Sequence, residues 1–361
     1  MRVNAFYWLM RGYVKLTLLF FYRKWQIHGK ENIPKNAAII FVANHQNAFQ
    51  DALVVTCGID EAPWFLTRAN VFASRFARWL FNQFHMMPVY RFRDGIKGLR
   101  NNEASMRLSA DILNKRWAIL LFGEGDQNMQ WTLRNMQKGF ARIAWMVQQE
   151  NNWKLPLYVV PVGLHYDHYY NYRSRMLVNY GKAIPVGEAY KDMDERKFLL
   201  HLTDTVRDAL KPLMLDIPAE HYAEIERAVR NSPAKRNMVE QLQRDQQLAA
   251  TWSGNPVTVQ PKSTNYALLA LTFPLHVYAW LNNVIPYFII HRFLDMKVSR
   301  EFRGSVKFGM GMVLVPVFTL IQSAVVQAVF HDWRITLGYA ITLPFLTGWS
   351  VDIWKKATGS R

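Results

Sequence analysis

His45 and Asp51 stand in the stretch Asn44-His45-Gln46-Asn47-Ala48-Phe49-Gln50-Asp51, directly after the apolar run Ala37-Ala38-Ile39-Ile40-Phe41-Val42-Ala43. Such a run reads as a buried strand, and α/β proteins build their sites just past strand ends. An imidazole held by a carboxylate can act as a general base on a hydroxyl. The plainer reading is a helix-capping Asn with an incidental His and Asp, so other residues must decide between the two. Three more strand exits bear on the choice. Leu120-Leu121-Phe122 runs into Gly123-Glu124-Gly125-Asp126, where glycines allow close backbone approach and N–H groups can hold a phosphate or an oxyanion. Arg134 and then Lys138-Gly139-Phe140-Ala141-Arg142 come next, with Lys138 and Arg142 at helical i,i+4 spacing. Pro88-Val89-Tyr90-Arg91-Phe92-Arg93 places two arginines past another strand, and Val159-Val160-Pro161-Val162-Gly163-Leu164-His165 ends a fourth. Four polar or glycine-rich exits that converge outweigh any one of them taken singly.

The elements that must position these residues alternate. Apolar runs at 38–43, 64–67, 86–90, 117–122, 157–162 and 176–180 read as strands, and 51–56, 103–115 and 138–149 as helices. The pattern predicts an α/β fold with a central mixed, mostly buried sheet flanked by helices. Between Glu61 and Asp94 five arginines and no acid interleave with aromatic residues, which predicts a basic amphipathic helix near 70–84. Residues 191–215 and 219–252 are charged and helical in pattern, and 253–262 reads as a linker.

The 361 residues carry a formal net charge of +17, half are hydrophobic and 14% are aromatic. That balance points to an anionic partner, a membrane surface or a nucleic acid. One cysteine, Cys57, excludes an internal disulfide and sits in an apolar stretch, as a buried structural thiol would. Residues 1–30 hold an aromatic helical pattern with Arg11 and Lys15 inside it, unlike a cleaved signal and like an interfacial helix whose bases reach for headgroups. Phe308 to Phe330 has 23 uncharged residues and Ile335 to Val351 has 17, which predicts a transmembrane hairpin over 308–351. Its flanks are basic, Lys297, Arg300, Arg303 and Lys307 before it and Lys355, Lys356 and Arg361 after, which puts both on the cytoplasmic side. Tyr266 to Ile290 is too short for two spans and predicts a re-entrant hairpin bent at Asn282-Asn283. The expected organisation is therefore 1–30, an α/β domain over 31–215, a helical spacer and linker over 216–262, and a membrane-embedded region over 263–361.

The four blocks, in this order, resemble the glycerolipid acyltransferase family, which includes lysophosphatidic acid and glycerol-3-phosphate acyltransferases. Its Asn-His with a downstream Asp is matched by Asn44, His45 and Asp51, its second-block Arg by Arg91, its Phe-Pro-Glu-Gly by Phe122-Gly123-Glu124-Gly125, and its Val-Pro-Val/Ile run by Val160-Pro161-Val162. Lys138-Gly139 and the strand Val178 to Pro185 are similar to later family features. There are departures. Five residues separate His45 from Asp51 where four are usual, and Gln50 takes the usual acid position. On one continuous helix an offset of six residues turns about 240°, so the pair can meet only if the chain between them bends. Gly123 replaces Pro, and Asp126-Gln127 replaces a Thr-Arg, a lost base for which Arg134 or Lys138 could compensate.

The resemblance implies transfer of a fatty acyl group from a thioester, acyl-CoA or acyl carrier protein, to a lysophospholipid hydroxyl. The leading acceptor is 1-acylglycerol-3-phosphate, with glycerol-3-phosphate or a lyso-aminolipid as alternatives. His45 would be the base and Asp51 its partner. Asn44, Arg91, Glu124, Gly125, Arg134 and Lys138 would bind substrate, with Gly125 and Val162 as oxyanion candidates. No bound cofactor, metal or nucleic acid is expected, and the protein would sit on the inner (cytoplasmic) membrane. His165-x-x-His168 near Asp167 has ligand-like spacing but reads as a loop of satisfied polar rings. The rival from another class is a basic, membrane-tethered protein that binds anionic lipid or nucleic acid without turnover.

Overall fold

The computed structural model describes residues 5–72, 74–89, 96–252 and 264–359. Among them eight strands form one sheet: β1 (Lys24–His28), β2 (Ala38–Ala43), β3 (Trp64–Arg68), β4 (Met86–Val89), β5 (Ala118–Phe122), β6 (Leu157–Tyr166), β7 (Arg175–Tyr180) and β8 (Ile184–Val186). The order is β1-β7-β6-β2-β5-β3-β4, with β8 on β6. Every pairing is parallel except β6 with β7 and β6 with β8, so the sheet is mixed. β2 lies between β6 and β5, and all six of its residues are buried, which is why Ala38–Ala43 carries no polar side chain on either face.

The two faces follow the period of two. Ile39, Phe41 and Ala43 join one core and Ala38, Ile40 and Val42 the other. The second core takes side chains from α4 (Ile96–Asn114), α5 (Gly139–Glu150) and α6 (Glu195–Leu210). The first takes them from α1 (Ala5–Phe21), α2 (Ala48–Thr56), α7 (Tyr222–Asn231) and α8 (Met238–Ala250). α7 and α8 are therefore part of the domain and not the spacer expected over 216–262: Met238, Leu242 and Ala249 are buried, and the Met238 N–H donates to Gln26 Oε1 at 2.9 Å. α3 (Arg75–Gln83) comes after a short 3-10 turn at Ala69–Phe72 where one helix was expected.

β1 and β8 were not expected. Lys24-Trp25-Gln26-Ile27-His28 is half-buried and paired on one side only, and an edge strand of mixed polarity has little pattern to read. α1 turns Tyr7, Leu18 and Phe21 into the protein but leaves Leu9 70% and Leu19 53% exposed. Arg11 does not reach outward: its guanidinium donates to Glu61 O at 2.7 Å and to Ile59 O.

The C-terminal region holds α9 (Tyr266–Leu271), α10 (Phe273–Lys297), α11 (Arg303–Phe330) and α12 (Trp333–Thr358). Arg300–Phe330 is the one segment among the described residues long and apolar enough to cross a membrane. Leu320, Val325, Leu337, Ile341 and Phe345 of α11 and α12 are exposed. α10 is helical through Asn282-Asn283, whose side-chain amides donate back to Tyr278 O and Ala279 O at 2.8 and 2.9 Å. Its neighbours nonetheless require a curve. The Asn265 N–H donates to Ala357 O at 2.8 Å, and Asp295 pairs with Arg303 at 3.2 Å, so both ends of the segment lie beside the same end of the α11–α12 hairpin. Pro286 supplies the cause, since it has no N–H for the Asn282 carbonyl. Gln322 Nε2 donates to that carbonyl at 2.7 Å, and Tyr339 Oη donates to the Asn282 side chain and, at 3.1 Å, to Gln322 Oε1. The other end of the region is tied to the α/β domain: Arg173 grips Asp352 with Nη2···Oδ2 at 2.6 Å, and Lys355 Nζ donates to Tyr172 O and Arg173 O at 3.1 Å.

Candidate active site

The chain leaves β2 at Ala43 and does not enter a helix until Ala48. Ala48 has φ +43°, in the left-handed region, and this bend answers the question raised by the long spacing. It lets Asp51, in the first turn of α2, swing back so that His45 Nδ1 and Asp51 Oδ2 are 2.8 Å apart. Gln50 points elsewhere: its Nε2 donates to Tyr22 Oη at 2.7 Å and its Oε1 accepts from Asn47 Nδ2 at 3.2 Å.

Asp51 is fully buried and accepts four hydrogen bonds. Oδ2 takes the N–H groups of Gln46 and Asn47, each at 2.7 Å, together with His45 Nδ1. Oδ1 takes the Tyr166 hydroxyl at 2.6 Å. Because a carboxylate oxygen that already accepts two N–H groups calls for a donor, the proton of the imidazole sits on Nδ1, and Nε2 keeps its lone pair. The His45 side chain is 17% exposed and stacks on Phe122 at the end of β5, with centroids 3.8 Å apart and rings 10° from parallel. One ring edge is thus locked by a carboxylate, one face is covered, and no hydrogen bond from the described residues takes the basic nitrogen.

Glu124 comes from the loop after β5. Its Oε2 accepts from Arg134 Nε at 2.9 Å, and Arg134 also donates to Asp126 O. No hydrogen bond of normal geometry reaches the buried Oε1 from the described residues. Burial pushes the Glu124 carboxyl above its ordinary range, and the attractions of Arg134 and nearby His45 only partly offset that. The loop is folded tightly. The Gln137 N–H donates to Gly123 O at 2.7 Å, which draws exposed Lys138 back towards the end of β5. A Cβ on Gly123 would displace the flexible end of Met136 and press on Val42, so the loop packs closely here. Gly125 has φ +74°.

Residues 24–165 match the family model described as acyltransferase. The chain carries an acyltransferase domain. It is an enzyme that transfers acyl groups. Among solved structures it is similar to the 1-acyl-sn-glycerophosphate (LPA) acyltransferase PlsC from Thermotoga maritima, at 16% identity and a TM-score of 0.42, over 57% of this chain and 79% of that one. No curated protein sequence matches the chain.

Within the acyltransferase domain His45, Asp51, Glu124 and Arg134 come together, and exposed Lys138 follows Gln137, whose N–H is bonded to Gly123 O. Other expectations need correction. Asn44 does not face a substrate: it is fully buried, its Nδ2 donates to Leu164 O at 3.1 Å and its Oδ1 accepts the Leu164 N–H at 2.7 Å. It continues the β2–β6 pairing by side chain where the backbone turns away. Neither oxyanion candidate suits that task. The Gly125 N–H is bonded to Phe122 O at 3.1 Å, and Val162 is fully buried in β6 between β2 and β7. Arg91 lies outside the described residues. The three residues with ligand-like spacing diverge: His165 lies 3.9 Å from Asp245, Asp167 accepts from Arg175 Nε at 2.6 Å, and His168 Nδ1 is 3.5 Å from Arg230.

Tyr166 is the functional residue that sequence reasoning passed over, one residue beyond the family match. Nothing near it in the chain marks it; the core that α2 and β6 share brings its hydroxyl to Asp51. Tyr166→Phe leaves a buried carboxylate oxygen without its donor. It is expected to destabilise the domain by about 1–3 kcal/mol and to lower turnover about tenfold. Thermal unfolding and steady-state assays of the variant would test this, and unchanged values in both would remove Tyr166 from the site.

Proposed function

We propose that the protein is a membrane-bound glycerolipid O-acyltransferase that moves a fatty acyl group from acyl-CoA or acyl carrier protein to a lysophospholipid hydroxyl, with 1-acylglycerol-3-phosphate as the leading acceptor. The observation that carries this is the His45–Asp51 pair at the end of β2, with Nε2 left as an acceptor. His45 Nε2 removes the proton of the acceptor hydroxyl, whose oxygen attacks the thioester carbonyl directly. The carbonyl re-forms as the carbon–sulfur bond breaks, and the leaving thiolate takes the proton from the imidazolium. Asp51 holds the ring and offsets its positive charge in the transition state. Glu124 Oε1 accepts from an acceptor hydroxyl, and Lys138, Arg91 and the remaining N–H groups of Arg134 hold its phosphate by charge-assisted bonds.

The apolar segment Arg300–Phe330, the exposed apolar faces of α1 and α11–α12, and the net charge of +17 support a membrane location. The basic residues flanking the α11–α12 hairpin favour the cytoplasmic side of the inner membrane for the α/β domain. A panel of lysophosphatidic acid, glycerol-3-phosphate and a lyso-aminolipid, each with acyl-CoA and with acyl carrier protein, tests the reading in detergent. Acceptor-dependent thiol release is expected with at least one lysophosphatidic acid pair. Release with none of the six pairs, from folded protein, would overturn the reading.

A further inference from the structure

We propose that Ser305, in the first turn of the apolar helix α11, is a positioning residue that holds the His45–Asp51 turn, so that the site is complete only when α11 is docked on the α/β domain. The proposal rests on the reading of His45 as the base. Ser305 is fully buried. Its Oγ donates to the Asn47 carbonyl at 2.7 Å and accepts the Gln50 N–H at 3.2 Å, partners 258 and 255 residues away in the chain.

Within the turn those two groups bond to each other at 3.1 Å, and Ser305 reinforces both. Asn47 is the N-cap of α2, yet its side chain makes no capping bond, because its amide is engaged with Gln50 Oε1 and with Tyr169 O at 3.1 Å. An uncapped first turn leaves N–H groups without strong partners. Ala48 beside it is held at φ +43°, a conformation that a residue with a Cβ keeps only when its surroundings impose it. The Ser305 hydroxyl adds a second acceptor for the Gln50 N–H from another part of the chain. It also fastens the Asn47 carbonyl, on the peptide that leads into Ala48. The Asn47 N–H in turn is one of the donors on Asp51 Oδ2, so a shift of Asn47 moves the carboxylate that holds the imidazole.

The approach of α11 is close enough to require glycine. A Cβ at Gly304 would meet Tyr169 O and stand 2.6 Å from Asn47 Oδ1. The next turn seats buried Phe308 edge-on against Phe21 of α1, with centroids 5.3 Å apart. The same helix therefore provides the segment long and apolar enough, among the described residues, to cross a membrane and a hydroxyl that braces the turn of His45 and Asp51.

Amide hydrogen exchange and steady-state kinetics on the full-length protein in detergent test this. Ser305→Ala should speed exchange in residues 44–52 about tenfold or more, with residues 38–43 of β2 unchanged, and lower kcat about ten- to a hundredfold with KM within about threefold. Gly304→Ala, which keeps the hydroxyl but pushes α11 away, should give the same signature and serves if Ser305→Ala does not fold. Thr347→Val, which removes the 3.0 Å Asn283–Thr347 bond elsewhere in the bundle, should alter neither reading. In an Asp51→Asn background Ser305→Ala should cost little more, since both act through one carboxylate. Unchanged exchange at 44–52, unchanged kcat, or full additivity with Asp51→Asn would each overturn the proposal. Exchange reads the docking without reference to turnover, so a wrong assignment of the base would show separately, as retained activity in His45→Ala.

Discussion

His45→Ala is expected to lower kcat by about 10³-fold, within the roughly 10²–10⁴ that a positioned general base contributes. The imidazole Nε2 is the basic atom that the Asp51 bond leaves available, and an alanine puts nothing in its place. Glu124 cannot readily substitute, because its Oε2 already accepts from Arg134 Nε at 2.9 Å. Activity above the uncatalysed rate should remain, since the groups that bind the acceptor are untouched. The fold should survive: the His45 side chain is 17% exposed, and what it loses is one hydrogen bond and the stack on Phe122. Thiol release measured at saturating acceptor, with thermal unfolding as the control for folding, checks both halves. A variant that keeps more than a tenth of wild-type turnover would rule His45 out as the base.

Asp51→Asn should cost nearly as much, about 10³-fold in kcat, and is more informative than Asp51→Ala. Alanine would strip the Gln46 and Asn47 N–H groups and the Tyr166 hydroxyl of their acceptor at once. At about 1–3 kcal/mol for each buried orphan, that change could unfold the domain and say nothing about chemistry. Asparagine is close to isosteric. Three donors converge on Oδ2, so the amide oxygen must take that place, and its nitrogen then faces Tyr166, whose hydroxyl can rotate to accept. His45 keeps its tautomer and position, and only the negative charge is lost. A large fall in kcat with a small change in KM and melting would therefore measure how far the charge stabilises the imidazolium. Activity within tenfold of wild type would reduce Asp51 to a structural anchor.

Much of this site was legible because its residues sit at strand ends and the strands are apolar throughout. β2 lies inside the sheet with both faces covered, so it had to be written in Ala, Ile, Phe and Val, and the polar residues directly after Ala43 had to form a site or a turn. The same logic found Glu124 after β5. Asn44 was found too, but its task was misread, since nothing local distinguishes an amide that binds substrate from one that continues a sheet. The oxyanion candidates failed for a related reason: a glycine marks a tight turn, and the turn had already engaged the Gly125 N–H.

The chain by itself determined the α/β sheet, the histidine with its carboxylate, the basic balance and the long apolar segment near the C-terminus, because each is a matter of residue type and short-range period. Tertiary structure alone decided how His45 meets that carboxylate. On one continuous helix the six-residue offset would part them, and the bend at Ala48 turns Asp51 to the imidazole and leaves Gln50 on Tyr22. Tertiary structure also brought Tyr166 and Ser305, more than a hundred residues away from the pair, to one turn. A buried carboxylate must be hydrogen-bonded, and while residues 45–47 supply three donors to Asp51, the fourth comes from a distant strand.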